Sequence, residues 1–122
     1  MTANPFVILY VEDDEFSREA FAELLASAER RIVAVGDIAS ARAALRENHV
    51  NLLLTDLNVG DDSGHDLARE ALQQNPKLPV IVCSGYDSRN LVQSLGPTAH
   101  ELRKPVEFEK LEALIERLAR TT

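Results

Sequence analysis

The chain has 122 residues, 45% of them hydrophobic and 27% charged, which excludes a disordered segment and allows one domain with a real core. Thirteen basic residues against twenty acidic ones give a net charge of −7, so no general affinity for nucleic acid or anionic membrane is expected. The lone cysteine, Cys83, excludes an internal disulfide framework, and the apolar runs are too short for a signal peptide or a membrane span, which points to a reducing cytoplasm.

Phe6 to Val11 is a short apolar run stopped by Glu12, Asp13 and Asp14, and reads as a buried strand ending in carboxylates. Phe16, Ala20, Phe21, Leu24, Leu25 and Ala28 follow at helical spacing, with Arg18, Glu19 and Glu23 on the other face. Ile32, Val33 and Val35 mark a second strand, and Asp37 is placed to cap a helix whose inner face is Ala41, Ala44 and Leu45. Asn51 to Asp56, NLLLTD, is a continuous apolar stretch too short for a helix. It predicts a strand buried on both faces that delivers Asp56 at its carboxyl end.

Asn58, Gly60, Asp61 and Asp62 have loop chemistry, and Ser63 with Asp66 fits the opening of a third helix facing inward through Leu67, Ala71 and Leu72. Leu78 to Cys83 predicts a fourth strand stopped by Ser84 and Gly85, and a short helix follows between Asp87 and Leu95. His100 to Lys104 predicts a fifth strand halted by Pro105, and Phe108, Leu111, Leu114, Ile115 and Leu118 mark a final amphipathic helix. Strict alternation of strand and helix implies an α/β fold: a doubly wound, flavodoxin-like parallel sheet of five strands in the order 2-1-3-4-5, with five helices. Its switch point lies between the first and third strands, so Glu12, Asp13 and Asp56 should meet in one crevice. Ser84 and Lys104 should reach the same rim.

Three carboxylates within about 5 Å repel by roughly 3 kcal/mol per pair, so a cation belongs among them, and a hard divalent ion such as Mg²⁺ suits an all-oxygen site. A carboxylate nucleophile, a divalent ion, a hydroxyl and an ammonium together can stabilise a phosphoryl group in transfer. Each part taken alone has a plainer reading: Asp13 and Asp14 as helix caps, Asp56 as a loop residue, Lys104 as a solvated lysine. Cys83 reads as a core thiol. His49, His65 and His100 share no metal-ligand spacing and read as surface or helix-end residues.

The acidic pair Glu12-Asp13 after the first strand, Asp56 ending LLLTD, Gly64 eight residues on, Ser84-Gly85 after the fourth strand and Lys104-Pro105 before the last helix occur together here. In this order and spacing they resemble the receiver domain of two-component response regulators, over residues 1–122 with a core of about 6–119. The resemblance implies that Asp56 is the phosphoacceptor, taking a phosphoryl group from a phosphohistidine of a sensor histidine kinase or histidine phosphotransfer protein. It implies that Glu12, Asp13, Asp56 and the backbone carbonyl of Asn58 hold Mg²⁺, that Lys104 pairs with the phosphoryl oxygens, and that Ser84 hydrogen-bonds them. The Lys104-Pro105 bond is usually cis in this family. Tyr86 and Asn58, by resemblance, tune hydrolysis of the acyl phosphate.

The implied role is a phosphorelay switch and not a turnover enzyme, though the domain takes part in its own phosphotransfer and autodephosphorylation. Partners are expected at the start of the first helix, near Asp14, Glu15 and Arg18, and on the face of the last two helices. The downstream target is a protein left unnamed by the sequence; a dimer through the last two helices and fifth strand is one option. The chain stops after the last helix, so it reads either as a stand-alone regulator or as a receiver excised from a hybrid kinase or larger regulator.

Three positions depart from the family pattern. Gly60 stands where proline is frequent, which suggests a more mobile 57–62 loop. Ser84 replaces the commoner Thr. Glu101 occupies the position that usually carries an aromatic switch residue, with His100 a substitute only if the register shifts by one. Two other readings compete. A phosphatase of the haloacid dehalogenase type would carry its D-x-D on the first strand and its second acidic cluster late in the chain, the reverse of this order. A receiver-like interaction module that works without phosphorylation is the second, kept open by the missing aromatic.

Overall fold

Four of the five strands form from short runs rich in β-branched and leucine side chains and ended by Gly or acids, and the fifth, AHELR, is a mixed, half-buried edge strand. The computed structural model of the protein describes residues 4–120. It orders these strands as β1 (Phe6–Val11), β2 (Arg30–Val35), β3 (Leu52–Asp56), β6 (Val80–Ser84) and β7 (Ala99–Arg103). All pairings in this sheet are parallel, in the order β2-β1-β3-β6-β7, which is the 2-1-3-4-5 topology once a small hairpin is set aside. Every residue of β3 is buried, as a strand covered on both faces requires.

The helices are α1 (Glu15–Leu25), α2 (Ile38–Glu47), α3 (Gly64–Gln74), α4 (Arg89–Gln93) and α5 (Phe108–Arg120). Side chains Asp14, Asp37 and Ser63 cap α1, α2 and α3 by accepting from the backbone N–H three residues on. The period of two along each strand divides the core. Leu9, Val11, Leu53, Val80 and Val82 pack with α2, α3 and α4 through Ile38, Ala41, Leu67, Ala71 and Val92. Ile8, Tyr10, Leu52, Leu54, Ile81 and Cys83 pack with α1 and α5 through Leu25, Leu111, Ile115 and Leu118. Each fully buried aliphatic side chain contributes roughly 1.5–3 kcal/mol.

Three expectations are corrected. Phe16 is 83% and Leu24 57% exposed, and Ala20 is exposed with them, so the inner face of α1 is Arg18, Phe21, Ala22 and Leu25 instead. At 100° per residue, Phe16 stands opposite Leu25, and the apolar residues of this helix spread too far around it for one face to bury them all. The helix also ends at Leu25, before Ala28. The 57–62 loop is an antiparallel hairpin, β4 (Asn58–Val59) with β5 (Asp62–Ser63), whose first turn residue, Gly60, has φ +61°. A two-residue hairpin turn of the II′ kind requires glycine there. Gly60 N–H donates to Asp13 Oδ2 at 2.9 Å, so the segment expected to be loose is tied to the end of β1. No register shift brings His100 forward: it pairs with Ile81, and Glu101 pairs with Val82.

Arg30 on β2 grips Glu112 of α5 in a two-pronged ion pair, Nη1 to Oε1 at 2.8 Å and Nη2 to Oε2 at 2.6 Å, with the arginine side chain only 12% exposed. The hydrogen bonds from Arg30 hold the Glu112 carboxyl below its ordinary range, so the ion pair stabilises the fold fully above the unfolded value of 4.5 and fades as the pH falls through the folded one. Arg30→Met should cost about 1–2 kcal/mol at neutral pH. Urea unfolding should show the gap between variant and parent intact at pH 7 and closing as the pH is lowered through 4.5 and below.

Candidate functional site

At the carboxyl edge of the sheet, β1 ends one residue before Glu12 and β3 ends on Asp56. Both carboxylates are buried, Glu12 at 7% exposure and Asp56 at 4%, while Asp13 is exposed. One oxygen from each of Glu12, Asp13 and Asp56 lies within 4.8 Å of the others. The crossovers of the fold therefore bring together the acids that the sequence keeps far apart. Asp14 does not join them; its carboxylate is spent on the Ser17 N–H, which holds its pKa down.

Local contacts fix these groups. Asp14 N–H donates to Glu12 Oε2 at 3.0 Å, and Arg18 Nη1 donates to the Glu12 carbonyl at 2.9 Å. The sequence pattern puts Arg18 on the outer face, but it turns in and braces the strand end. Burial, followed by the neighbouring Asp56, raises the Glu12 pKa to about 7. Lys104 Nζ stands 3.0 Å from Asp56 Oδ2. Burial works against the lysine charge, but the Asp56 and Glu12 carboxylates outweigh it, and the Lys104 pKa is raised.

That contact is an ion pair without the alignment of a hydrogen bond, and Asp56 Oδ2 is a buried oxygen with no hydrogen-bond donor. An unfilled acceptor beside two further carboxylates, with one ammonium opposite, suits a hard cation with oxygen ligands. Asn58 heads β4 two residues past Asp56. The Lys104-Pro105 peptide is cis.

Ser84 ends β6, next to β3, and is 3% exposed. Its hydroxyl donates to the Tyr86 carbonyl and lies 2.9 Å from Ser88 Oγ; among the described residues it makes no hydrogen bond to Asp56 or Lys104. Ser88, buried at 2% exposure, was not singled out from the sequence, although a serine preceding a short helix was the available signal. Cys83 is buried, and burial raises its thiol to about 12, as a core residue should behave. His65 bridges helices, its Nε2 3.0 Å from the Leu91 carbonyl, and His49 is exposed.

A family model described as "Response regulator receiver domain" matches residues 8–116. The chain belongs to the response regulator receiver family. The receiver is 30% identical over 109 residues to the response regulator protein PilR of Pseudomonas aeruginosa, covering 88% of this chain and 24% of PilR. It is 32% identical over 113 residues to the response regulator receiver protein CpdR of Brucella abortus, covering 91% of this chain and 94% of CpdR. A crystal structure of a response regulator receiver protein from Pseudomonas putida superposes with a TM-score of 0.82 at 31% identity, covering 96% of this chain and 99% of that one. The chain spans about a quarter to a half of the length of most of the curated relatives it matches. Among the described residues, no helix is long and apolar enough to cross a membrane.

Gly64 of this receiver opens α3 directly behind the site. A Cβ there would stand 1.9 Å from the Asp56 carbonyl oxygen and 2.8 Å from Thr55 Oγ1, so only glycine lets the helix approach the end of β3. Gly64→Ala should lower stability by about 2 kcal/mol or more, by forcing the strand end or the helix to move. Gly85→Ala, whose added methyl meets nothing within 4 Å, should be near neutral in the same denaturant titration.

Proposed function

We propose that this receiver accepts a phosphoryl group on Asp56 from a phosphohistidine protein, in a Mg²⁺-dependent transfer, and thereby switches a protein-binding face. The observation that carries this reading is the buried Asp56 carboxylate, at the end of the central strand, with Lys104 at 3.0 Å and the Glu12 and Asp13 oxygens beside it. An Asp56 oxygen attacks phosphorus, a mixed anhydride forms, and the bond to the donor imidazole breaks with its electron pair returning to nitrogen. Glu12, Asp13, Asp56 and the Asn58 carbonyl would hold the metal ion, which neutralises charge on the phosphoryl oxygens when bound. Lys104 pairs with a phosphoryl oxygen as the Asp56 charge becomes part of the anhydride, and Ser84 donates its hydroxyl to another. Hydrolysis of the anhydride resets the domain.

The exposed stripe of Phe16, Ala20 and Leu24 supports a place for the donor. Phe16 is one residue past Glu15 at the start of α1 and three residues after Asp13, and exposed large apolar side chains such as Phe16 and Leu24 mark contact surfaces. A helix carrying the phosphohistidine would lay its apolar face on this stripe.

Intact mass after incubation with acetyl phosphate and Mg²⁺ tests the reading. One phosphoryl group should appear on the parent and be absent from Asp56→Asn and from parent treated with a chelator. An unlabelled parent, with acetyl phosphate and with phosphorylated donor proteins alike, overturns the proposal and leaves an interaction module that works without phosphate. Phe16→Ala should slow transfer from a phosphohistidine protein by about tenfold or more, the loss of one well-packed anchor, while labelling by acetyl phosphate serves as the unaltered reference.

A further inference from the structure

Glu101, at the position where the family usually has an aromatic residue, is bonded to the site through Ser88. The β6-β7 register sets Val82 beside Glu101 and Ser84 beside Arg103, so Ser84 and Glu101 lie on the same face of the sheet. The Glu101 carboxylate accepts both donors of Ser88, the backbone N–H and the hydroxyl, each at 2.6 Å. Ser88 Oγ lies 2.9 Å from Ser84 Oγ, and Ser84 in turn donates to the Tyr86 carbonyl. The hydrogen bonds from Ser88 hold the Glu101 carboxyl below its ordinary range, in the ionised form.

Counting protons shows what this network does. Ser88 has one hydroxyl proton, which it donates in its hydrogen bond to the carboxylate, so Ser88 presents only lone pairs to Ser84. The single Ser84 proton is then held by the Tyr86 carbonyl and the Ser88 oxygen. Phosphoryl oxygens are acceptors, so Ser84 can serve a group on Asp56 only by leaving both partners.

Resting on Asp56 as phosphoacceptor, we propose that Glu101 and Ser88 form a polar clasp that holds the Ser84 hydroxyl back, so that the clasp and a phosphoryl group on Asp56 oppose each other. The clasp stands in place of the usual aromatic switch. Its opening frees the 85–88 turn and the start of α4, because Ser88 precedes that helix without a side-chain capping bond to it. The change emerges in a cleft of about 330 Å³ between α4, β7 and α5, lined by Arg89, Val92, Glu101 and Arg117 among others.

Coupling of this kind is reciprocal, so weakening the clasp must favour the occupied site. The test titrates beryllofluoride with Mg²⁺, a stable mimic of the phosphoryl group, into the parent, Glu101→Ala and Ser88→Ala. Both variants should bind it about fivefold or more tightly than the parent. Their free forms should exchange amide hydrogens across 85–92 faster, towards the rate of the beryllofluoride-bound parent. A residue that merely supports the fold would lower the unfolding temperature without tightening binding, so equal or weaker affinity in either variant overturns the clasp. Failure of the parent to bind, matching Asp56→Asn, overturns the clasp together with the phosphoacceptor reading.

Discussion

A carboxylate at the end of a strand buried on both faces has little water to solvate it, and Asp56 shares its surroundings with two more. At an effective dielectric near 20 each pair of ionised carboxylates about 5 Å apart repels by roughly 3 kcal/mol. The Lys104 ammonium, 3.0 Å away, is the group that makes the arrangement tolerable in the free protein. Burial first, and then the neighbouring Asp56, raise the Glu12 pKa to about 7, so one lysine does not cancel the cost of gathering these acids. The same imbalance suits the site to a hard divalent cation with oxygen ligands.

The supports of that site are short-range and come from different parts of the chain. Asp13 accepts the Gly60 N–H, which ties the β4-β5 hairpin to the end of β1. A proline at residue 60 could not make this bond, since it has no N–H. Gly64 lets α3 approach the Asp56 carbonyl, and Arg18 braces the Glu12 carbonyl from α1. The Asp56 strand end is thus held by backbone contacts on both sides, while its side-chain Oδ2 meets the Lys104 ammonium and no aligned hydrogen-bond donor. For the proposed phosphoryl transfer, such rigid support would fix the geometry before the ligand arrives.

On the other side of β3, the Ser84 hydroxyl is bonded away from Asp56. Ser84 belongs to a short polar chain that runs through Ser88 to Glu101 at the protein surface. Buried hydroxyls have one proton each, so a change of partner at one end is felt at the other. Under the proposed clasp, electrostatics on the acidic side of the sheet edge and the hydroxyl protons on the other side act on one event. Arg103 Nε stands 3.9 Å from Glu101 Oε2 at the outer end of this polar chain.

The alternation of apolar runs with amphipathic stretches was enough to determine a parallel α/β sheet, its strand order, and the convergence of Glu12, Asp13 and Asp56. Each of these follows from period, length and the handedness of crossovers, which are local or general properties. The small hairpin was not legible, because two-residue strands have no period to read. Nor was the exposure of Phe16, Ala20 and Leu24, because apolar residues spread around α1 do not say which of them the sheet will cover. Ser88 and Glu101 are thirteen residues apart in the chain, and nothing in either neighbourhood announces that one bonds the other. Their pairing depends on the β6-β7 register and on where the 85–88 turn closes. The sequence by itself determined which chemistry gathers at the edge of the sheet. Only the tertiary structure decided which partner each polar atom takes there, because hydrogen bonds are settled by distances of a few tenths of an ångström that no local pattern encodes.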